Sequence, residues 1–418
     1  IRDYGVKSTD YSGLGANKGL NQNSTSNWPA NLTLTRTQAA AAGIAFPSVA
    51  ASVNSWSFVV NGGKPTAAPT LGGFVAAPAN PANANAVLIG NENRYNFAET
   101  YQLYPAYDYV SNYTGIEHTF SDSLKGFFDV TFAKNSTYYA FTPGVITYST
   151  EGLTLPATNP YNPFGSRFYH PQGLPNADGT PRLVGDPAEV QFSPGVGTRV
   201  VDWENRRIEV TSTAYRSVIG LRGKLGREWE WESAVLYSGA QTRDTEFNDV
   251  RESALRTALA RTDATAFNPF GYTFRIEPGT NLIRLDKPYR NPASVLQPLY
   301  DNYIRFARTE LISWDAKLNG RWLRLLGNDI SWAAGTEIRY ESYGDKRPPY
   351  AGVNPPSDPN PLLRRNDNDF IALSPSINLS ANRTIYSAYS EVLLHVVTSA
   401  NRYVGVRSLE FTDAGRFE

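Results

Sequence analysis

A period of two kept up along both arms of one long hairpin leaves a chain few folds, and Arg206 to Phe247 has that period. On the returning arm, Trp229, Trp231, Val235 and Tyr237 share one parity, while Glu230, Glu232, Ala234 and Ser238 share the other. Side chains alternate across a strand but wind around a helix, so this arm reads as strand. The outgoing arm separates Tyr215, Ile219, Leu221 and Leu225 from Arg216, Gly220, Arg222 and Lys224, and Gly226-Arg227-Glu228 joins the two. Strands of soluble sheets run to about five or six residues, and these arms are far longer. One apolar and one charged face over such a length suits a wall between lipid and water. Only a closed sheet avoids an unpaired backbone edge in hydrocarbon.

Three further hairpins share the format. Tyr107 to Phe120 returns as Leu124 to Lys134, Tyr303 to Leu323 as Ile330 to Tyr343, and Arg383 to Val397 as Arg402 to Glu418. In the third pair, Ile312, Trp314, Ala316, Leu318 and Trp322 alternate with Ser313, Asp315, Lys317, Asn319 and Arg321. Connections within pairs are tight, and those between pairs are long: 135–205, 248–302 and 344–382. Short turns at one rim and large loops at the other are the topology of an outer-membrane barrel. Residues 94–418 therefore read as all-β, an antiparallel transmembrane β-barrel with periplasmic turns and extracellular loops. Residues 1–93 read as a loop-rich N-terminal part of the barrel region, with one strand at Ser55 to Val60 and near low complexity from Lys64 to Ala86.

Composition narrows the partners. Lys plus Arg and Asp plus Glu are both 39, so nothing points to nucleic acid. No apolar run approaches the roughly 18 to 20 residues a membrane helix needs, so any crossing is made by strands. Mean hydropathy of −0.39 fits a barrel, in which only alternate strand residues meet lipid. Zero Cys excludes disulfide and thiolate-metal scaffolds, and zero Met marks a processed or partial product.

Catalytic signatures are absent: no Gly-x-Ser-x-Gly elbow, no His-Glu-x-x-His and no phosphate loop. Gly13 to Gly19 reads as a loop. The same-face pairs Glu230 with Glu232 and Glu337 with Glu341 read as the lining of a wet interior beside Arg222, Arg321 and Arg339. His118, His170 and His395 are scattered, so neither a metal nor a cofactor is expected. Asn366 to Asp369 offers hard oxygens, with Asp367 and Asp369 as potential calcium donors, but it lacks the spacing of an EF-hand and reads as a solvated loop. Asp249 to Arg261 reads as a short loop helix capped by Asn248 or Asp249. Asn159 to Gly165 (NPYNPFG) and Phe267 to Gly271 (FNPFG) recur at matching places in consecutive loops and read as a repeated turn device. A bound ligand would be sought at the loop tips: Tyr161, Phe164, Arg167, Phe168, Tyr169 and His170 on one, and Phe270, Tyr272 and Arg275 on the next. Aromatic faces with a few directed polar groups suit a pocket. The competing reading is that these aromatics pack the loops against one another.

The run Arg94-Tyr-Asn-Phe97, Tyr101-Gln-Leu-Tyr-Pro105 and Tyr109 to Phe120 closing on Ser121-Asp122 resembles the early barrel of TonB-dependent outer-membrane receptors. Asn162-Pro-Phe-Gly165, the DVRESAL segment, Trp332 to Tyr340 and Val404 to Phe417 are similar to successive barrel segments of that family. The resemblance implies a 22-stranded barrel with an N-terminal plug, importing a scarce nutrient such as a siderophore, vitamin or oligosaccharide. Energy would come from the inner-membrane TonB protein, with lipid of the bacterial outer membrane as surroundings and no catalysis. The chain departs from the pattern in showing no Ton box, no plug and no final strands, so the remainder is expected outside it or in other chains that complete the barrel. The alternatives are a passive porin-like channel, a structural or adhesive barrel, and a soluble glycan-active enzyme in which Trp314, Trp322, Trp332 and Tyr340 form a buried core.

Overall fold

The computed structural model describes residues 24–42, 55–60, 74–76, 94–102, 104–146, 152–192, 197–279, 281–325, 328–348, 350–352, 368–371, 373–374, 376–398, 401 and 404–418. Gly13 to Gly19, most of Lys64 to Ala86, and Asp367 lie outside them. With 60% strand and 8% helix, the chain is all-β.

Its main body is one eight-stranded antiparallel wall in which every strand pairs with its sequence neighbours. The strands are β1 (Ala106–Ser121), β2 (Leu124–Ala140), β3 (Arg207–Leu225) and β4 (Trp229–Val250), followed by β5 (Tyr300–Leu325), β6 (Asn328–Lys346), β7 (Leu379–Val397) and β8 (Leu409–Phe417). Most run longer than the sequence pattern indicates; β2 continues from Lys134 to Ala140 and β5 begins at Tyr300. The exceptions are β3, which starts one residue later at Arg207, and β8, read from Arg402 but starting at Leu409. Among the described residues the wall does not close, and β1 and β8 are its edges.

Register turns the period of two into horizontal rows. Ile219, Val235, Trp314, Ile338 and Tyr386 align across five strands, and the next row toward the loops holds Ser217, Tyr237, Ile312, Tyr340 and Thr384. Toward the turns the same face carries Leu221, Ala316 and Thr336, then Trp231 and Leu318, then Trp229 and Trp332. Past Tyr237, Ile312 and Tyr340 the face becomes polar, with Gln241, Arg308 and Gly344 in line. The apolar part is thus a band of about eleven residues per strand, set at one height and edged by aromatics at both rims. It is uncovered: Ile219 is 60% exposed, Trp322 58% and Tyr386 64%. Among the described residues nothing packs over this face.

The wall also seats rings over glycines. A Cβ on Gly220 would meet the Phe127 ring at 2.3 Å, one on Gly239 the Tyr215 ring at 2.6 Å, and one on Gly335 the Tyr389 ring at 2.4 Å. Each aromatic lies flat on a bare backbone one strand away, a device that supports sheet curvature.

The buried core lies elsewhere, in a lobe at the long-loop end. Asn31–Thr35 is the middle strand of a five-stranded sheet, between Ser55–Val60 and Val190–Phe192. Leu32, Leu34, Leu155, Phe164, Phe192, Leu255, Phe267 and Phe270 are fully buried there. The early segment read as loop is therefore partly core. Leu32 and Leu34 point inward from a strand too short to announce itself by periodicity.

Candidate functional site

The repeated turn is an asparagine device, and the lobe is built around it. Asn162 accepts the Phe164 N–H at 2.9 Å and donates to the carbonyls of Leu155, Pro156 and Ala188. Asn268 accepts the Phe270 N–H at 2.9 Å and donates to Tyr272, and Asn159 accepts the Tyr161 N–H and donates to Leu259 and Phe267. A further copy is Asn368, which accepts the Phe370 N–H at 3.0 Å. Each side chain closes its own turn and satisfies carbonyls that would otherwise be buried unpaired. Asn159, Asn162 and Asn268 are completely buried.

The device turns the adjacent rings inward, which corrects the expectation that they line a ligand site. Phe164, Phe168, Tyr169 and Phe270 belong to the core, and Tyr161 is 5% exposed. Tyr161 donates to the Ala264 carbonyl and to Tyr289 Oη, and burial first, then Tyr289, push its phenol well above the ordinary value. Of the nine residues, Arg167, His170, Tyr272 and Arg275 keep some surface. His170 Nδ1 accepts the backbone N–H groups of Gln172 and Leu174, while Arg275 faces Asp286 at 3.9 Å. The loop aromatics pack the loops together.

Asp369 likewise holds protein, not an ion. Its carboxylate accepts the Ser253 N–H and hydroxyl at 2.7 Å each and pairs with Arg251. It thereby caps the helix Glu252–Ala260, α1, whose flanking Arg251 offers no side-chain cap. The cap expected from Asn248 or Asp249 comes instead from the third loop. Arg251 also lies 3.4 Å from the centre of the Tyr350 ring. Arg199 ties the N-terminal segment in, donating to Thr142 Oγ1, the Pro143 carbonyl and Ser24 Oγ. Burial, then nearby Arg206, lower its guanidinium to about 10, so it stays charged.

The face of the wall opposite the apolar band is an ion-pair ladder. Glu117 pairs with Lys125 and Arg222, Glu232 with Lys317 at 2.9 Å, and Glu228 and Asp329 with Arg321. Glu341 pairs with Arg339 at 3.1 Å and Arg383 at 2.6 Å. Of the four acids read as interior lining, Glu232, Glu337 and Glu341 each face a cation while Glu230 shows no ion pair among the described residues, and the pairs Glu230 with Glu232 and Glu337 with Glu341 show no acid–base geometry of their own. Among the described residues no group of three or more His, Asp or Glu is placed to hold a metal.

One recess at the lobe surface carries mixed chemistry that the sequence did not flag. It has a volume of about 460 Å³ and is lined by Asp202, Trp203, Glu204, Arg290 and Asn291. Trp203 stacks on Tyr300 at 5.7 Å with planes 11° apart. Asp202 accepts from Asn291 N and Nδ2 at 3.0 and 2.8 Å, and Arg290 donates to the Asp202 carbonyl. An indole beside acceptors and donors can seat a small polar ring. No signal at Asp202-Trp-Glu204 marks it, because Arg290 arrives from the next loop. No protein-family model matches the chain, and no curated protein matches it.

Proposed function

We propose that this chain forms part of the wall and external loops of a bacterial outer-membrane β-barrel that takes up a scarce nutrient. The observation that carries the reading is the apolar band. Outward residues of neighbouring strands are apolar over about eleven residues, the length a tilted strand needs to cross hydrocarbon. Trp229, Trp322 and Trp332 edge it on the turn side and Tyr215, Tyr237 and Tyr340 on the loop side, as aromatic belts do. An exposed apolar surface of this extent requires a cover, and the charged inward face suits a water-filled interior.

The lobe favours a receptor over a simple pore. Three loops and the N-terminal segment share one core, so the recess at Asp202 and Trp203 sits on a rigid body able to hold a ligand before it enters. The resemblance to TonB-dependent receptors adds the plug, the full 22 strands and the energy source. Uptake of a labelled nutrient by cells making the whole receptor should stop when TonB is deleted. Unchanged uptake without TonB would leave a passive channel.

A further inference from the structure

We infer a phosphorylated-lipid headgroup site on the outward face of the wall, just beyond the apolar band on the loop side; the inference rests on the membrane reading above. Register sets Arg243 on β4, Phe306 on β5 and Lys346 on β6 in one row, with Arg308 in the row below. Adjacent strands lie about 4.8 Å apart, so the two flanking cations start about 10 Å from each other and can reach one group over the ring between them.

On the other face Lys125, Arg222, Lys317, Arg321, Arg339 and Arg383 lie against carboxylates, while Arg216 and Lys224 show no ion pair among the described residues. Outside, Arg308 pairs with Glu310, but Arg243 and Lys346 have no acidic partner among the described residues. Both are exposed. Next to them is a hollow of about 340 Å³ whose lining includes Ile304, Phe306, Lys346 and Pro348. The acid at its far end, Asp301, is taken by Arg251 at 3.3 Å.

Unpaired cations above an apolar floor match a lipid phosphate with its first sugar or acyl carbons, and their height places them level with headgroups. Free phosphate would use the same cations but would gain nothing from Ile304 and Phe306. The occupant is therefore the lipid.

The test uses the full chain refolded in zwitterionic amine-oxide micelles and titrated with diphosphorylated lipid A, followed by microscale thermophoresis. Each surface cation is worth about 1 kcal/mol toward an anionic lipid, so the double variant Arg243→Gln/Lys346→Gln should bind about 25-fold more weakly. Dephosphorylated lipid A should bind the wild type as weakly as the variant binds the phosphorylated form. Equal affinity of wild type and variant would overturn the site, as would full competition by millimolar inorganic phosphate. Flotation with phosphatidylcholine vesicles separates the two failures. A chain that floats yet ignores lipid phosphate loses only the headgroup site. One that does not float loses the membrane reading with it.

Discussion

Ala316→Arg tests the apolar band at its most demanding point. Ala316 lies midway between Trp322 and Glu310 on β5 and faces outward between Ser233 and Thr336. At about 3.3 Å per residue and a tilt of about 45°, it stands about 14 Å from either rim, the middle of the hydrocarbon. An arginine at that depth on the lipid face costs roughly 2–4 kcal/mol, whereas near an interface it costs about 0–1. Gln241→Arg, in the row of Arg308, is the interfacial counterpart. The expected gap between the variants is therefore about 2–3 kcal/mol. Urea unfolding in phosphatidylcholine vesicles, followed by tryptophan fluorescence, measures both. On a water-exposed sheet the two changes would fall within about 0.5 kcal/mol of each other, and that result would refute the lipid-facing assignment.

Three further outcomes are expected. Asp369→Ala removes the cap of α1 and one of the two carboxylates that Arg251 pairs with, costing about 2–3 kcal/mol; hydrogen exchange should rise selectively across Glu252–Ala260, and unchanged protection there would dismiss the cap. Asn162→Ala leaves the Phe164 N–H and buried carbonyls unsatisfied, at about 3 kcal/mol, so proteolysis should cut the lobe while the wall resists; equal resistance of lobe and wall would count against the device. Asp249 stands on the loop side of a strand irregularity, outside the apolar band. Burial, then Glu246, raise its carboxyl to about 7 against the pull of Arg206. The folded state binds the extra proton, so stability should fall as pH rises from about 4 to 7. Asp249→Asn should flatten that slope in equilibrium unfolding, and an unaltered slope would assign it to other groups.

The wall was legible because its signal is local and repeated: Trp229 to Tyr237 alone fix strand, face and register partner type. Strand ends were not, since beyond the band the alternation weakens, as at Asn135 to Ala140, and pairing with β3 keeps those residues in line. The lobe escaped for another reason. Its strands are two to seven residues long, too short for a clear period, and most pair across loops, as Leu32 does with Phe192. The Asn-Pro-aromatic repeat was visible as a turn, but which way Phe164 and Phe270 would face depends on loops arriving from elsewhere. The copy at Asn368 lacks the proline and was read as a solvated loop instead. For the same reason Asp369 could not be matched to α1, a partner 116 residues away.

The placement of Asn31–Thr35 in the middle of the lobe sheet sets an order of assembly. Asn27 and Thr198 meet across 171 positions of chain, and between them lie β1 and β2, which cross the wall and return. Contacts of such separation form late. The wall hairpins, whose partners are adjacent in sequence, can zip as they arrive, while the N-terminal segment has to wait unpaired on the loop side until the residues around Val190 reach it. Closing the lobe sheet thus has to wait for contacts far apart in the chain, whereas each wall hairpin needs only its neighbour. An open lobe would therefore mark a chain whose distant loops had not yet met.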